Sequence, residues 1–180
     1  KDLFLGNVDE NIIHECIHYI QDQRIENEKT KRMGLSTFEE FKVKGMALNE
    51  VGIRYISNKL LSKQDKSKTF TLLKQILSIT GEEVFLESIL NSNSKFEEKF
   101  IDETNSEILY NKMQNAVDAM FDLEQIIKRL NCEGRNSRKP QVYLSKINMH
   151  KHTLSSKFSE IQWEIYNRYF SRKIKYYLFY

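Results

Sequence analysis

His14-Glu15-Cys16-Ile17-His18 sets two imidazoles four residues apart, with a carboxylate one residue after the first. On a helix, positions i and i+4 share a face, so His14 and His18 can each aim a ring nitrogen at one Zn²⁺ from about 2.0–2.1 Å. Glu15 lies one step further round the helix. There it can take a proton from metal-activated water instead of binding the ion. The neighbouring Ile12, Ile13, Ile17 and Ile20 supply the apolar packing such a helix needs. A hydrolytic zinc also needs a third protein ligand and an open position, so a second helix must bring another carboxylate or histidine.

A second helical segment follows: Gly45-Met46-Ala47-Leu48-Asn49-Glu50-Val51-Gly52-Ile53-Arg54-Tyr55-Ile56. HExxH on one helix and an Asn-Glu pair on the next, with Glu50 32 residues after His18, resembles the gluzincin arrangement of zinc metallopeptidases. The whole phrase is similar to a group of bacterial metallopeptidases with a pattern close to HExxHYxQ, a loop, and ALNEGxTEYL, over residues 12–57. The resemblance implies that His14, His18 and Glu50 bind Zn²⁺, that Glu15 activates water, and that the reaction is hydrolysis of a peptide or protein substrate.

Three features depart from that pattern. Arg54 stands four residues after Glu50, where such families place an acidic residue that orients a zinc-bound histidine; Asp22 and Asp9 are the carboxylates that could substitute. Val51-Gly52 stands where a glycine follows the glutamate directly. Only 13 residues precede His14, whereas gluzincins place a β-sheet subdomain there, and Lys1 to Gly6 resembles a remnant of its last strand. Because the first residue is Lys1 rather than Met, the expectation is that these residues are the helical part of something longer. Tyr19, Tyr55, Arg54, His150 and His152 are candidates by type for polarising a carbonyl. Tyr19 and Tyr55 occupy apolar helix phases in which tyrosine usually packs. His150 and His152, two apart, fall on different helix faces and make no second helical metal site.

The elements that must position these groups are helices. Six glycines and one proline in 180 residues are too few turn formers for a β-sandwich or barrel, so the chain is expected to be all-α or mainly helical, with little or no sheet. Capping boxes at Asn7 to Glu10, Ser36 to Glu39, Thr80 to Glu83 and Thr104 to Glu107 predict helix starts. With the apolar periodicity they place helices at about 8–26, 37–62, 81–91 and 105–131, with shorter ones near 66–79 and 95–101. Cys16 is expected on a buried helix face. In 105–131, Ile108, Met113, Ala116, Met120, Leu123, Ile127 and Leu130 form the inward stripe and leave Lys112, Asp118, Glu124 and Lys128 for solvent. Residues 131–139 form a linker. A last helical region follows, interrupted around 150–155 and carrying the stripe Phe158, Ile161, Ile165, Tyr169 and Ile174. The whole is expected as one helical domain, with zinc-site helices in 1–62, scaffold in 63–132 and a basic segment in 133–180.

Charge is unevenly spread: residues 1–132 carry 18 basic and 22 acidic side chains, and residues 133–180 carry 10 and 3. In that last segment Tyr143, Trp163, Tyr166, Tyr169, Phe170, Tyr176 and Tyr177 alternate with basic residues. This supports an alternative reading as a non-catalytic helical interaction module, either an inactive peptidase relative or a binder of single-stranded nucleic acid or an anionic membrane. No nucleic-acid-binding motif accompanies the charge, and no apolar run reaches the ~20 residues of a membrane span. Cys16 and Cys132 show no metal or redox spacing, so cytoplasmic and secreted locations both stay open.

Overall fold

Ile13, Ile17 and Gln21 recur every fourth residue and form the inward stripe of the first helix, α1 (Glu10–Asp22). The computed structural model describes residues 10–22, 31–39, 42–135 and 137–179. After α1 come β1 (Lys31–Met33), β2 (Ser36–Glu39) and β3 (Lys42–Lys44), then α2 (Met46–Leu60), α3 (Lys68–Thr80), α4 (Glu82–Asn91), α5 (Lys95–Thr104), α6 (Glu107–Arg135) and α7 (Pro140–Phe179). The chain is mainly α, as its shortage of turn formers requires. No helix among the described residues is long and apolar enough to cross a membrane.

The expected helix over 37–62 is corrected at its first third. Residues 31–33, 36–39 and 42–44 form a three-stranded antiparallel sheet in the order β1-β2-β3, with Arg32 opposite Thr37 and Phe38 opposite Val43. Lys42-Val43-Lys44 alternates with period two and Thr37-Phe38 favours extended backbone, so the local preference was for strand. The two-residue link from β1 to β2 begins at Gly34, whose φ of 58° belongs to the left-handed region. A Cβ there would lie 2.0 Å from Asn49 Oδ1 and 2.3 Å from Gln21 Nε2. Both the turn and the close approach therefore require glycine.

Of the expected capping residues, the three that lie among the described residues do not cap a helix. Ser36 lies within β2, Thr80 and Thr104 end α3 and α5, and Asn7, like Asp9 and Lys1–Gly6, lies outside the described residues. Thr80 and Thr104 instead donate their hydroxyls back to Ile76 O and Phe100 O, one turn earlier. The operative N-terminal hydroxyls are Ser67, which accepts from Phe70 N, and Ser106, which accepts from Leu109 N.

One hydrophobic core runs from Ile17 on α1 to Ile165 on α7, with Phe85 and Phe96 in an edge-to-face pair at 5.2 Å near its middle. On α6 the buried face is Leu109, Tyr110, Met113, Val117 and Met120, while Ile108 is exposed. Asp118 and Glu124, expected in solvent, instead reach neighbouring helices, as described below. The expected linker at 131–139 is corrected at its start, since α6 continues to Arg135, and α7, which begins at Pro140, shows no break at 150–155. Of the α7 stripe, Phe158, Ile161 and Ile165 are buried, Tyr169 is half-buried and Ile174 is exposed. Cys16 is exposed, not buried, because it points away from the Ile13–Ile17–Gln21 stripe.

Gly34→Ala should lower stability by about 2–4 kcal/mol, since the methyl meets buried amide atoms and the backbone must hold a positive φ. Urea unfolding measures this; a loss under 1 kcal/mol would show that the turn relaxes freely.

Candidate metal centre

Helix α1 presents His14 and His18 on one face, and α2 crosses it with Glu50 at the crossing. His14 Nε2 and His18 Nε2 are 3.1 Å apart. Glu50 Oε2 lies 3.4 Å from His14 Nε2, and Glu50 Oε1 lies 3.2 Å from His18 Nε2. Ligands held at 2.0–2.1 Å in a tetrahedron stand roughly 3.3–3.4 Å from one another. The three donor groups thus have nearly the spacing of one face of a tetrahedral zinc site. The donor chemistry fits as well: two imidazole nitrogens and a carboxylate converge, and a cation between them satisfies all three together. All three residues are partly exposed, which leaves the fourth direction accessible.

Two residues to which the sequence analysis assigned no role hold the helices in this register. Gln21, three residues after His18, and Asn49, adjacent to Glu50, are 0% and 1% exposed. Gln21 Nε2 donates to Asn49 Oδ1 at 3.1 Å, and Asn49 Nδ2 donates to Gln21 Oε1 at 3.2 Å. Gln21 Nε2 also donates to Ile89 O at 3.2 Å, and Leu35 N donates to Asn49 Oδ1 at 3.0 Å. The two backbone partners fix which end of each amide faces which way, because Leu35 N–H can only donate and Ile89 C=O can only accept. A signal was present in the sequence: Gln21 lies on the helix face of His14 and His18, where an uncharged polar residue needs a buried partner.

The rest of the scaffold is also polar at its junctions. At the start of α2, Ala47 N donates to Asp118 Oδ1 at 3.1 Å; burial pushes the Asp118 carboxyl above its ordinary range while this bond opposes the shift. Thr69, at the start of α3, donates its backbone N–H and its hydroxyl to Glu124 at 3.0 and 2.7 Å. Carboxylates from α6 thus meet two helix N-termini, where exposed N–H groups and the dipole favour negative charge. Gly52 completes the packing: a Cβ there would lie 2.3 Å from Ile89 Cδ1, so α2 approaches α4 only without a side chain.

A cavity of about 140 Å³ beside the triad is lined by Glu10, Asn11, His14, Glu50, Arg54 and Phe121. Arg54 lies one turn beyond Glu50 on α2. Its Nε faces Asp65 Oδ2 at 2.9 Å, and its Nη2 donates to Ser67 Oγ and Thr69 Oγ1 at 3.2 Å each. Of the carbonyl-polarising candidates, Arg54 is the one that lines this cavity. Tyr55 donates instead to Glu82 at 2.9 Å, and burial, with Glu82 adding to it, pushes its hydroxyl up to about 12. Tyr19 is exposed, and His150 and His152 sit on α7 away from the cavity lining. Asp22 is exposed at the end of α1.

Glu15 is exposed beside the triad, not within it. It borders an open apolar concavity formed by Ile12, Cys16, Tyr19 and Ile20 on the outer face of α1. No family model matches the chain, nor does any curated protein or solved structure.

Asn49→Leu and Gln21→Leu should each cost about 2–4 kcal/mol, because each strands buried donors or acceptors of its partner. A double-mutant cycle by urea unfolding should give a coupling of at least about 1 kcal/mol. Additivity within 0.3 kcal/mol would remove the amide pair as the lock between α1 and α2.

Proposed function

We propose that this protein is a zinc-dependent peptide hydrolase with His14, His18 and Glu50 as metal ligands and Glu15 as the general base. The observation that carries the reading is the 3.1–3.4 Å triangle of donor groups delivered by two helices. The likeness of residues 12–57 to gluzincins supports the same assignment. Zinc held there supplies Lewis acidity, which makes water a stronger acid and polarises a peptide carbonyl.

The protein's own groups do the remaining work. Glu15 takes a proton from water as the water oxygen bonds to the carbonyl carbon. It returns that proton to the amide nitrogen as the C–N bond breaks, leaving one new carboxyl and one new amine. Glu15 follows His14 on α1 and is exposed to solvent, outside the ligand set. Arg54 holds the carbonyl oxygen while charge develops on it, since its guanidinium lines the cavity shared by His14 and Glu50. Asp65, Ser67 and Thr69 restrain that guanidinium in advance, so little reorganisation is needed when substrate arrives. The exposed Ile12, Tyr19 and Ile20 beside Glu15 offer apolar surface to a peptide chain.

The purified protein should take up one equivalent of zinc, measured by elemental analysis after dialysis. At a free concentration 100 times its Kd, zinc should raise Tm by roughly 5–10 °C. His14→Ala and Glu50→Ala should each weaken zinc binding by more than about 100-fold, exceeding the 10–100-fold typical of losing an outer partner. Protein that stays metal-free in excess zinc would overturn the site.

Glu15→Gln should keep the zinc and lose at least about 100-fold in kcat on an unstructured protein substrate such as casein. Zinc bound without any Glu15-dependent hydrolysis would instead mark a non-catalytic metal module.

A further inference from the structure

Helices α6 and α7 share the core with the other elements only over part of their length. Between Ile127 and Leu154 no described residue joins the core cluster; Ile147 is buried but outside it, and Tyr143 lies against Gly134 of the opposite helix. Residues 128–153 thus form a two-helix arm. It carries seven basic residues and one acidic residue, Glu133. Lys128, Arg129 and Arg135 lie on α6, Arg138 and Lys139 in the connection, and Lys146 and Lys151 on α7; all seven are exposed.

Their lack of partners separates them from many cations elsewhere. Arg32, Arg54, Lys59, Lys95, Lys112 and Arg172 each pair with a carboxylate. Among the described residues, none of the seven arm cations has a carboxylate within 4 Å. Like charges gathered on two adjacent helices repel one another, and Glu133 is the one acidic residue of the arm to set against them.

We propose that the arm binds the phosphate backbone of double-stranded nucleic acid. From the start of α7 at Pro140 to Lys151 the helix rises about 16 Å, at 1.5 Å per residue, with Arg138 and Lys139 just before it, which spans several phosphates of a duplex. Exposed Gln141, Ser145 and Asn148 lie between them and can donate to phosphate oxygens. A membrane surface fits less well. Exposed Val142 and Met149 share one side of α7 while Leu144 falls on another, so no continuous apolar stripe faces outward. Base stacking on a single strand fits less well too, since the one aromatic residue of the arm, Tyr143, lies against Gly134.

The test uses the full chain and a labelled 20-base-pair DNA duplex of mixed sequence, with fluorescence anisotropy between 50 and 200 mM NaCl. The expected result is binding whose log Kobs falls with log salt at a slope steeper than about −3, with a ceiling near −6 for seven cations at about −0.9 per phosphate. The triple variant Arg138→Glu, Lys139→Glu, Lys146→Glu changes exposed positions only and should keep its circular dichroism and Tm while the slope shrinks by about 3. Lys66→Glu with Lys74→Glu, exposed positions away from the arm, should bind as the parent chain does. No binding at 50 mM salt, or equal binding by the triple variant, would overturn the proposal. So would tighter binding to poly-glutamate or to phosphatidylserine vesicles than to the duplex.

Discussion

The candidate site depends on one buried contact, the reciprocal hydrogen bonds between the Gln21 and Asn49 amides. Three donor groups carried by two separate helices can share a cation only if the helices cross at a fixed point and register. Apolar packing alone fixes register loosely, because a leucine surface tolerates small slides. A pair of buried amides does not: sliding α1 along α2 strands two donors and two acceptors away from water. Gln21 lies less than one turn beyond His18, and Asn49 is next to Glu50, so the lock sits beside the groups it aligns. Its backbone partners, Leu35 N and Ile89 O, extend the same constraint to the small sheet and to α4.

The rest of the scaffold uses the same device at lower cost. Asp118 and Glu124 project from α6 onto the N-terminal N–H groups of α2 and α3, where charge and dipole cooperate. Arg54 joins α2 to the start of α3 through Asp65, Ser67 and Thr69. Polar groups therefore sit where helix ends meet, and apolar side chains fill the space between. Glycine appears where neighbouring side chains leave no room for a Cβ, at Gly34 under the amide pair and at Gly52 against Ile89 and Phe85 of α4. The proposed ligands keep partial exposure despite this tight surround, as a site open to water and substrate requires.

Charge is segregated along the same chain. The body around the triad pairs many of its cations with carboxylates, while among the described residues the seven cations of the α6–α7 arm have no carboxylate within 4 Å. The proposed ligands divide the same way: a compact cation at the triad and an extended polyanion at the arm. The aromatic residues that made the C-terminal segment resemble a stacking surface divide differently. Tyr143 lies against Gly134, and Tyr166 and Tyr169 pack against the core, whereas Trp163 and Phe170 are exposed away from the arm.

Helical periodicity and the ligand spacing were legible in the chain because both are local: 3.6 residues per turn places His14 under His18 whatever surrounds them. The apolar periods likewise marked most helices to within a few residues, and the shortage of glycine and proline marked the fold class. Several features were not legible. The Ser, Thr and Glu spacings that resemble capping boxes are also compatible with a strand or a helix end, and only neighbouring backbone selects among them. Asp118, Glu124 and Gln21 look alike as polar positions on amphipathic helices; whether each meets solvent, a helix end or a buried amide depends on residues 28 to 71 positions away. Convergence of His14, His18 and Glu50 is of the same kind. Their types were given by the chain, but their distances come from how α1 and α2 cross, and that crossing is set by long-range packing that no local pattern encodes.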